Sequence, residues 1–151
     1  MRQPVQVLIY PVKTAGSGWE VLLLRRTASR GGFWQGVTGG VEDEEDLVEA
    51  ARRELLEETG LVPFALEQID YSYSFPVEEE WRHLYAAGVK EIVEYVFVAL
   101  VDGQQEPNLT WEHDQWKWCR YDQALGLLTW PGNIEALKRC ECFMKARSSA
   151  T

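Results

Sequence analysis

Three glutamates, Glu54, Glu57 and Glu58, crowd into the stretch RRELLEETG, Arg52 to Gly60. With Glu54 set at zero on a helix of about 100° per residue, Glu58 falls near 40° and Glu57 near −60°. Leu47, Ala50, Ala51 and Leu55 fall between about −40° and 100° on the same wheel, and Val48 near 120° closes the apolar arc. The carboxylates therefore continue the inward face of the predicted helix, while Glu49, Arg52 and Arg53 take the outward side. Half-buried carboxylates this close repel one another unless a cation compensates. Clustered hard oxygen ligands suit Mg²⁺, with Mn²⁺ as a substitute. The alternative is a solvated face whose glutamates merely pair with arginines at i, i+4.

Upstream, GGVEDEE adds a glycine pair and more carboxylates, with Glu45 leading into the helix. Gly39 and Gly40 would let backbone amides approach a phosphate, although most Gly-Gly pairs are simply turns. The composition is compatible with such a site. At 151 residues, 46% of them hydrophobic, the chain suits one domain over 1–151 with a sizeable core. A net charge of −9 argues against a nucleic-acid partner, which calls for a basic face. It does not exclude a phosphorylated small molecule that arrives with divalent cations. No apolar run reaches the roughly 18 residues of a membrane span, and no signal peptide is read at the N-terminus. Three cysteines, Cys119, Cys140 and Cys142, suggest reduced thiols in a cytoplasmic protein. Monomer and homodimer both stay open.

The elements that must position these groups follow from periodicity and turn signals. VQVLIYPVK and WEVLLLRR read as strands joined by TAGSG, a short strand is expected near Val37, and Asp46 to Glu58 forms a helix stopped by Gly60. LEQIDYSYSF, EIVEYVFVALV and QWKWCRY read as further strands, with Trp116 and Trp118 on one strand face. GNIEALKRCECFMKAR is a closing helix. Strands interspersed with helices predict an α/β fold with a mixed sheet covered on both faces.

Gly39, five residues, Glu45, seven residues, and then the run from Arg53 to Leu61 resemble the Nudix box with every fixed position filled. The resemblance implies an α/β/α sandwich in which a loop–helix–loop binds divalent metal, and hydrolysis of a nucleoside diphosphate linked to another group. It implies that Glu57 and Glu58 are principal metal ligands, with Glu54 assisting. Arg53 would hold the carboxylates, Gly39 would give a backbone ligand or phosphate contact, and Glu45 would support the loop. FWQGVTGGVE, RHLYAAGV and EHDQWKW are similar to dihydroneopterin triphosphate pyrophosphohydrolases of folate synthesis, whereas FPVEEEW departs from them. That likeness favours a pterin triphosphate cleaved to pyrophosphate and the monophosphate. ADP-ribose, for which Pro76 lies at a suggestive spacing of sixteen residues from Gly60, and general nucleoside triphosphates are the alternatives. A Nudix-fold module that has lost catalysis is disfavoured by the intact box.

Outside the box, Arg82 is a candidate for a phosphate contact and Tyr85 for stacking on a flat ring. Glu94 matches a family glutamate near the metals, although Val93 and Tyr95 look core-facing and an outward, solvated Glu94 is the alternative. Glu112 is preferred over His113 for activating water. Arg25 and Arg26 end a strand where alternation lets at most one reach a polyphosphate. Among seven tryptophans, Trp34 is the candidate for contact with a planar base.

Overall fold

The computed structural model describes residues 2–149. Its centre is strand β1 (Val5–Ala15), whose run of buried residues from Val7 to Val12 lacks the alternation of a half-exposed strand. Both of its faces are covered, so every side chain is apolar whichever way it points. β1 runs parallel to β6 (Glu91–Leu100). Its other edge is shared: β4 (Val37–Gly40) pairs with Gln6 to Ile9, and β2 (Gly18–Arg26) pairs with Val12 to Ala15. Pro11 falls between those two stretches, where its missing N–H costs no ladder bond. β3 (Trp34–Gln35) and β7 (His113–Cys119) pair with β2, and β5 (Ala65–Pro76) pairs with β6. The β1–β6 pairing is parallel and the other strand pairings named here are antiparallel, so the described sheet is mixed as expected.

Helix α1 (Leu47–Thr59) begins at Asp46, whose side chain accepts from the Glu49 amide while Glu49 reaches back, a reciprocal cap. It ends at Gly60, with a φ of 73° that a side chain would strain. Ala50, Ala51 and Leu55 pack on Val7, Ile9, Leu22, Leu24 and Phe97, one face of the sheet. The opposite face, Leu8, Tyr10, Leu23, Val96 and Val98, is covered by α2 (Tyr121–Leu127) and α3 (Pro131–Ser149). α3 contributes Ala136, Leu137, Cys140 and Met144, a stripe at helical spacing. This is the α/β/α sandwich. The short α2 was not read from the sequence. Cys140 is buried and Cys142 exposed, because two residues on a helix are about 200° apart.

The wheel places most of α1 correctly, with two corrections. Val48 is 42% exposed, since the sheet does not reach that edge of the arc. Glu57 has a side chain 58% exposed, lying on the flank away from Leu55 and not on the inward face. Glu54 and Glu58 are buried.

Candidate active site

Arg53, expected on the outward side of the helix, instead folds back over the start of α1 and ties the local structure together. Its guanidinium donates to Glu45 through Nε at 2.7 Å and Nη2 at 2.9 Å, and to the Gly40 carbonyl at 2.9 Å. Nη1 donates to Glu54 at 2.9 Å and Glu57 at 3.2 Å. Glu45 in turn accepts from the Glu42 amide at 3.0 Å, and its pKa is lowered chiefly by its bond to Arg53. Gly39 must be glycine for a separate reason: a Cβ there would overlap the Glu54 carboxylate.

On the inward side, Glu58, Glu112 and His113 bring ligand atoms within 4.8 Å of one another. Burial, followed by the charges of Glu112 and Glu54, pushes the Glu58 pKa up to about 8. Burial raises Glu54 to about 7 against the pull of Arg53. His113 goes the other way, down to about 4, because it is desolvated and faces the charge of Arg26. It is therefore neutral at physiological pH, and its contact of 3.6 Å with Glu58 is not an ion pair. Neither of its ring nitrogens has a hydrogen-bond partner. Two acidic side chains and a neutral imidazole, which offers one nitrogen lone pair, form a donor set that fits a divalent cation.

The cluster opens on a cavity of about 400 Å³ lined by Gly39, Gly40, Glu54, Glu58 and Glu112 together with Arg2, Arg26 and Arg30. Alternation along β2 decides which arginine enters, and the bulge on β7, which skips Asp114, sets His113 opposite Arg26. Arg26 continues the Leu22–Leu24 face and lines the cavity. Arg25 turns out to solvent and pairs with Asp114 at 2.9 Å. Arg26 lies over the Phe33 ring and Arg30 over the Trp111 ring, at 5.7 and 5.2 Å. The Nε atoms of both arginines are buried without a partner.

Several sequence candidates lie elsewhere. Trp34 pairs opposite Arg25, and so packs into the α2–α3 side of the core. Arg82 is exposed in the 3₁₀ segment Glu79–Leu84 and is not part of the cavity lining. Tyr85 does line the cavity, buried with Val77 and Ile92. Pro76 lines it as well. Glu94 is neither solvated nor part of the Glu58 cluster: it is 3% exposed and accepts from Tyr73 and Gln6. Its strand is covered on both faces, so alternation with Val93 and Tyr95 could not send it outward. Arg2, Gln6 and Arg30 were missed. Gln6 alone left a trace, as a polar residue inside an apolar strand.

A family comparison decides what this arrangement belongs to: the NUDIX domain pattern matches residues 2–140. The chain belongs to the NUDIX domain family. Its Nudix box is the Gly39–Leu61 segment, clamped by Arg53. A Haemophilus influenzae dihydroneopterin triphosphate diphosphatase is 32% identical over 141 residues, which is 91% of this chain and 85% of that one. A solved chain from Listeria monocytogenes, assigned to the NUDIX hydrolases, superposes with a TM-score of 0.83 at 31% identity and covers 96% of this chain and 97% of its own. An octanoyltransferase from Myxococcus xanthus is 40% identical over 134 residues, 88% of this chain, but the match spans only 35% of that protein's length. Membership of this hydrolase family agrees with the enzyme reading. Among the described residues no helix is long and apolar enough to cross a membrane.

Proposed function

We propose that this chain hydrolyses a phosphoanhydride bond in a ring-bearing triphosphate, dihydroneopterin triphosphate first and a nucleoside triphosphate second, releasing pyrophosphate and the monophosphate. One observation carries the reading: an anion subsite and a cation subsite share one cavity. Arg2, Arg26 and Arg30 line it beside Glu58 and Glu112, in a chain whose net charge is −9. Three arginines concentrated there counter a field that would otherwise repel a polyphosphate. The named activity of the Haemophilus relative favours the pterin.

Glu58, Glu112 and His113 would hold the divalent cation, Mg²⁺ or Mn²⁺, with Glu54 and Glu57 as neighbouring carboxylates. When bound, the cation neutralises charge on the reacting phosphate oxygens and activates the attacking water. Arg26 and Arg30 grip the phosphates with charge-assisted hydrogen bonds, and the partnerless Nε atoms supply donors for them. Glu112, which lies 3.8 Å from the Arg30 guanidinium, accepts the proton of the attacking water. Arg53 keeps Glu54 and Glu57 in place. We place the enzyme in the cytoplasm, where its thiols stay reduced.

The test is steady-state kinetics with Mg²⁺ on dihydroneopterin triphosphate, dGTP, dATP and ADP-ribose, with product identification. Preference for the pterin and release of pyrophosphate supports the reading. Preference for ADP-ribose replaces it and makes Pro76 the informative residue. No turnover with either Mg²⁺ or Mn²⁺ refutes it.

A further inference from the structure

A second group of polar side chains lies on the α3 face of the sheet, outside the acid cluster. Gln6 Nε2 donates to Glu94 Oε1 at 3.4 Å, and Tyr73 Oη donates to the other carboxylate oxygen. Asn133 Nδ2 donates to Tyr73 Oη at 2.9 Å, and the Asn133 carbonyl accepts from Tyr10 Oη at 2.8 Å. The arrangement is closely built: a Cβ on Gly132 would overlap the Tyr73 ring. Glu94 is 3% exposed and Asn133 5%, so the chain of bonds is shielded from water and holds its geometry.

Of this group, Gln6 lines the cavity. Sheet register stands it between Gly40 on β4 and Glu94 on β6. Its neighbours in the lining on the β6 side include Phe75, Leu84, Tyr85 and Ile92, with Glu78 and Arg2 also lining the cavity. A flat ring fits against the aromatic and apolar walls, and a polar edge it can meet there is the Gln6 amide. One N–H of the amide faces the Glu94 carboxylate, which leaves the amide oxygen and the second N–H for a ligand.

We propose that Gln6, oriented by Glu94 and Tyr73, selects the substrate's ring by accepting from adjacent N–H donors, as a 2-amino-4-oxo ring of the pterin or guanine kind presents them. Two neighbouring donors can share the two lone pairs of one carbonyl oxygen. Adenine sets its amino group beside an unprotonated ring nitrogen, whose lone pair would face the same oxygen. The proposal rests on the triphosphate reading for the class of ligand, but its test is binding and not turnover.

The probes are the α,β-methylene analogues of dGTP, dATP and dITP, titrated in Mg²⁺ against the full chain by calorimetry. The wild type binds the guanine analogue about tenfold tighter than the adenine one, and tighter than the hypoxanthine one, which lacks the 2-amino group. Gln6→Met, similar in size but without an acceptor, brings the guanine-to-adenine ratio close to one by weakening guanine. Tyr73→Phe, distant from the phosphates, lowers the ratio while leaving the adenine Kd in place. An unchanged ratio in Gln6→Met overturns the proposal. Equal wild-type affinity for the three analogues overturns it without any variant, should Gln6→Met fail to fold. A protein that shows the Gln6-dependent ratio yet cleaves no triphosphate keeps this inference and loses the catalytic one. Turnover with no such ratio does the reverse.

Discussion

Replacing Arg53 by lysine tests whether the guanidinium fork, and not only its charge, holds the box. In the structure one guanidinium makes five hydrogen bonds, to Glu45 twice, the Gly40 carbonyl, Glu54 and Glu57. A lysine ammonium is a point donor with three N–H groups and cannot span partners on both sides of the helix start. At least two charge-assisted bonds are lost. Each contributes about 1.5–3 kcal/mol net, and with 28% of the side chain exposed the lower figure applies, giving about 3 kcal/mol in all. For a domain of this size that is about 6–12 °C in Tm. Glu54 and Glu57 are freed as well, and misplacement of about 1 Å lowers kcat about 100-fold. Tm is read from tryptophan fluorescence without divalent ions, and kcat with Mg²⁺ present. Because two of the five bonds go to Glu45, the Glu45→Gln/Arg53→Lys double variant should lose less than the sum of the two singles. A Tm drop below about 2 °C, or simple additivity, refutes the clamp.

The acid cluster makes stability depend on pH and on metal. Glu58 and Glu54, raised to about 8 and 7, bind protons more tightly folded than unfolded, so their contribution is present at low pH and is lost as pH rises through those values. His113, lowered to about 4, acts oppositely, its contribution being lost as pH falls from about 6.5 toward 4. Between about pH 6.5 and 8 the carboxylates dominate. Tm in EDTA should therefore fall across that window and recover with Mg²⁺; a flat EDTA profile contradicts the cluster. Glu112→Gln should lower kcat by about 10²–10⁴ while the metal-free Tm holds or rises, because a like charge beside Glu58 is removed; unchanged kcat rejects Glu112 as the proton acceptor. Arg26→Ala should raise KM for a triphosphate at least about tenfold more than Arg25→Ala does, since alternation along β2 turns only Arg26 into the cavity; equal effects in steady-state kinetics would overturn that placement.

Local rules made α1 legible. Asp46 with Glu49, Gly60 after Thr59, and the inward run of Ala50, Ala51, Glu54, Leu55 and Glu58 all depend on neighbours within a few residues. The Nudix box shares this property, because its glutamates and their Arg53 clamp occupy one loop and one helix. The mixed sheet was also readable, since strands interspersed with helices, some joined by tight turns, call for both parallel and antiparallel pairing. The short α2 left no comparable periodicity, with seven residues giving under two turns.

The rest of the site lay beyond any such local reading. Alternation parts Arg25 from Arg26, but which of them enters the cavity depends on which face of β2 lies under α1, a matter of packing between separate elements. Glu94 meets Gln6 across a separation of 88 residues, so its burial was invisible from the alternation of its own strand. His113 owes its low proton affinity to burial and then to the charge of Arg26, which belongs to another element. Thus the sequence alone determined the family chemistry, the helix that presents the glutamates and the faces of the core. Only the tertiary structure decided which arginines and which glutamine line the cavity, and that His113 joins Glu58 and Glu112. Sheet register and burial are properties of distant segments brought together, and no local periodicity encodes them.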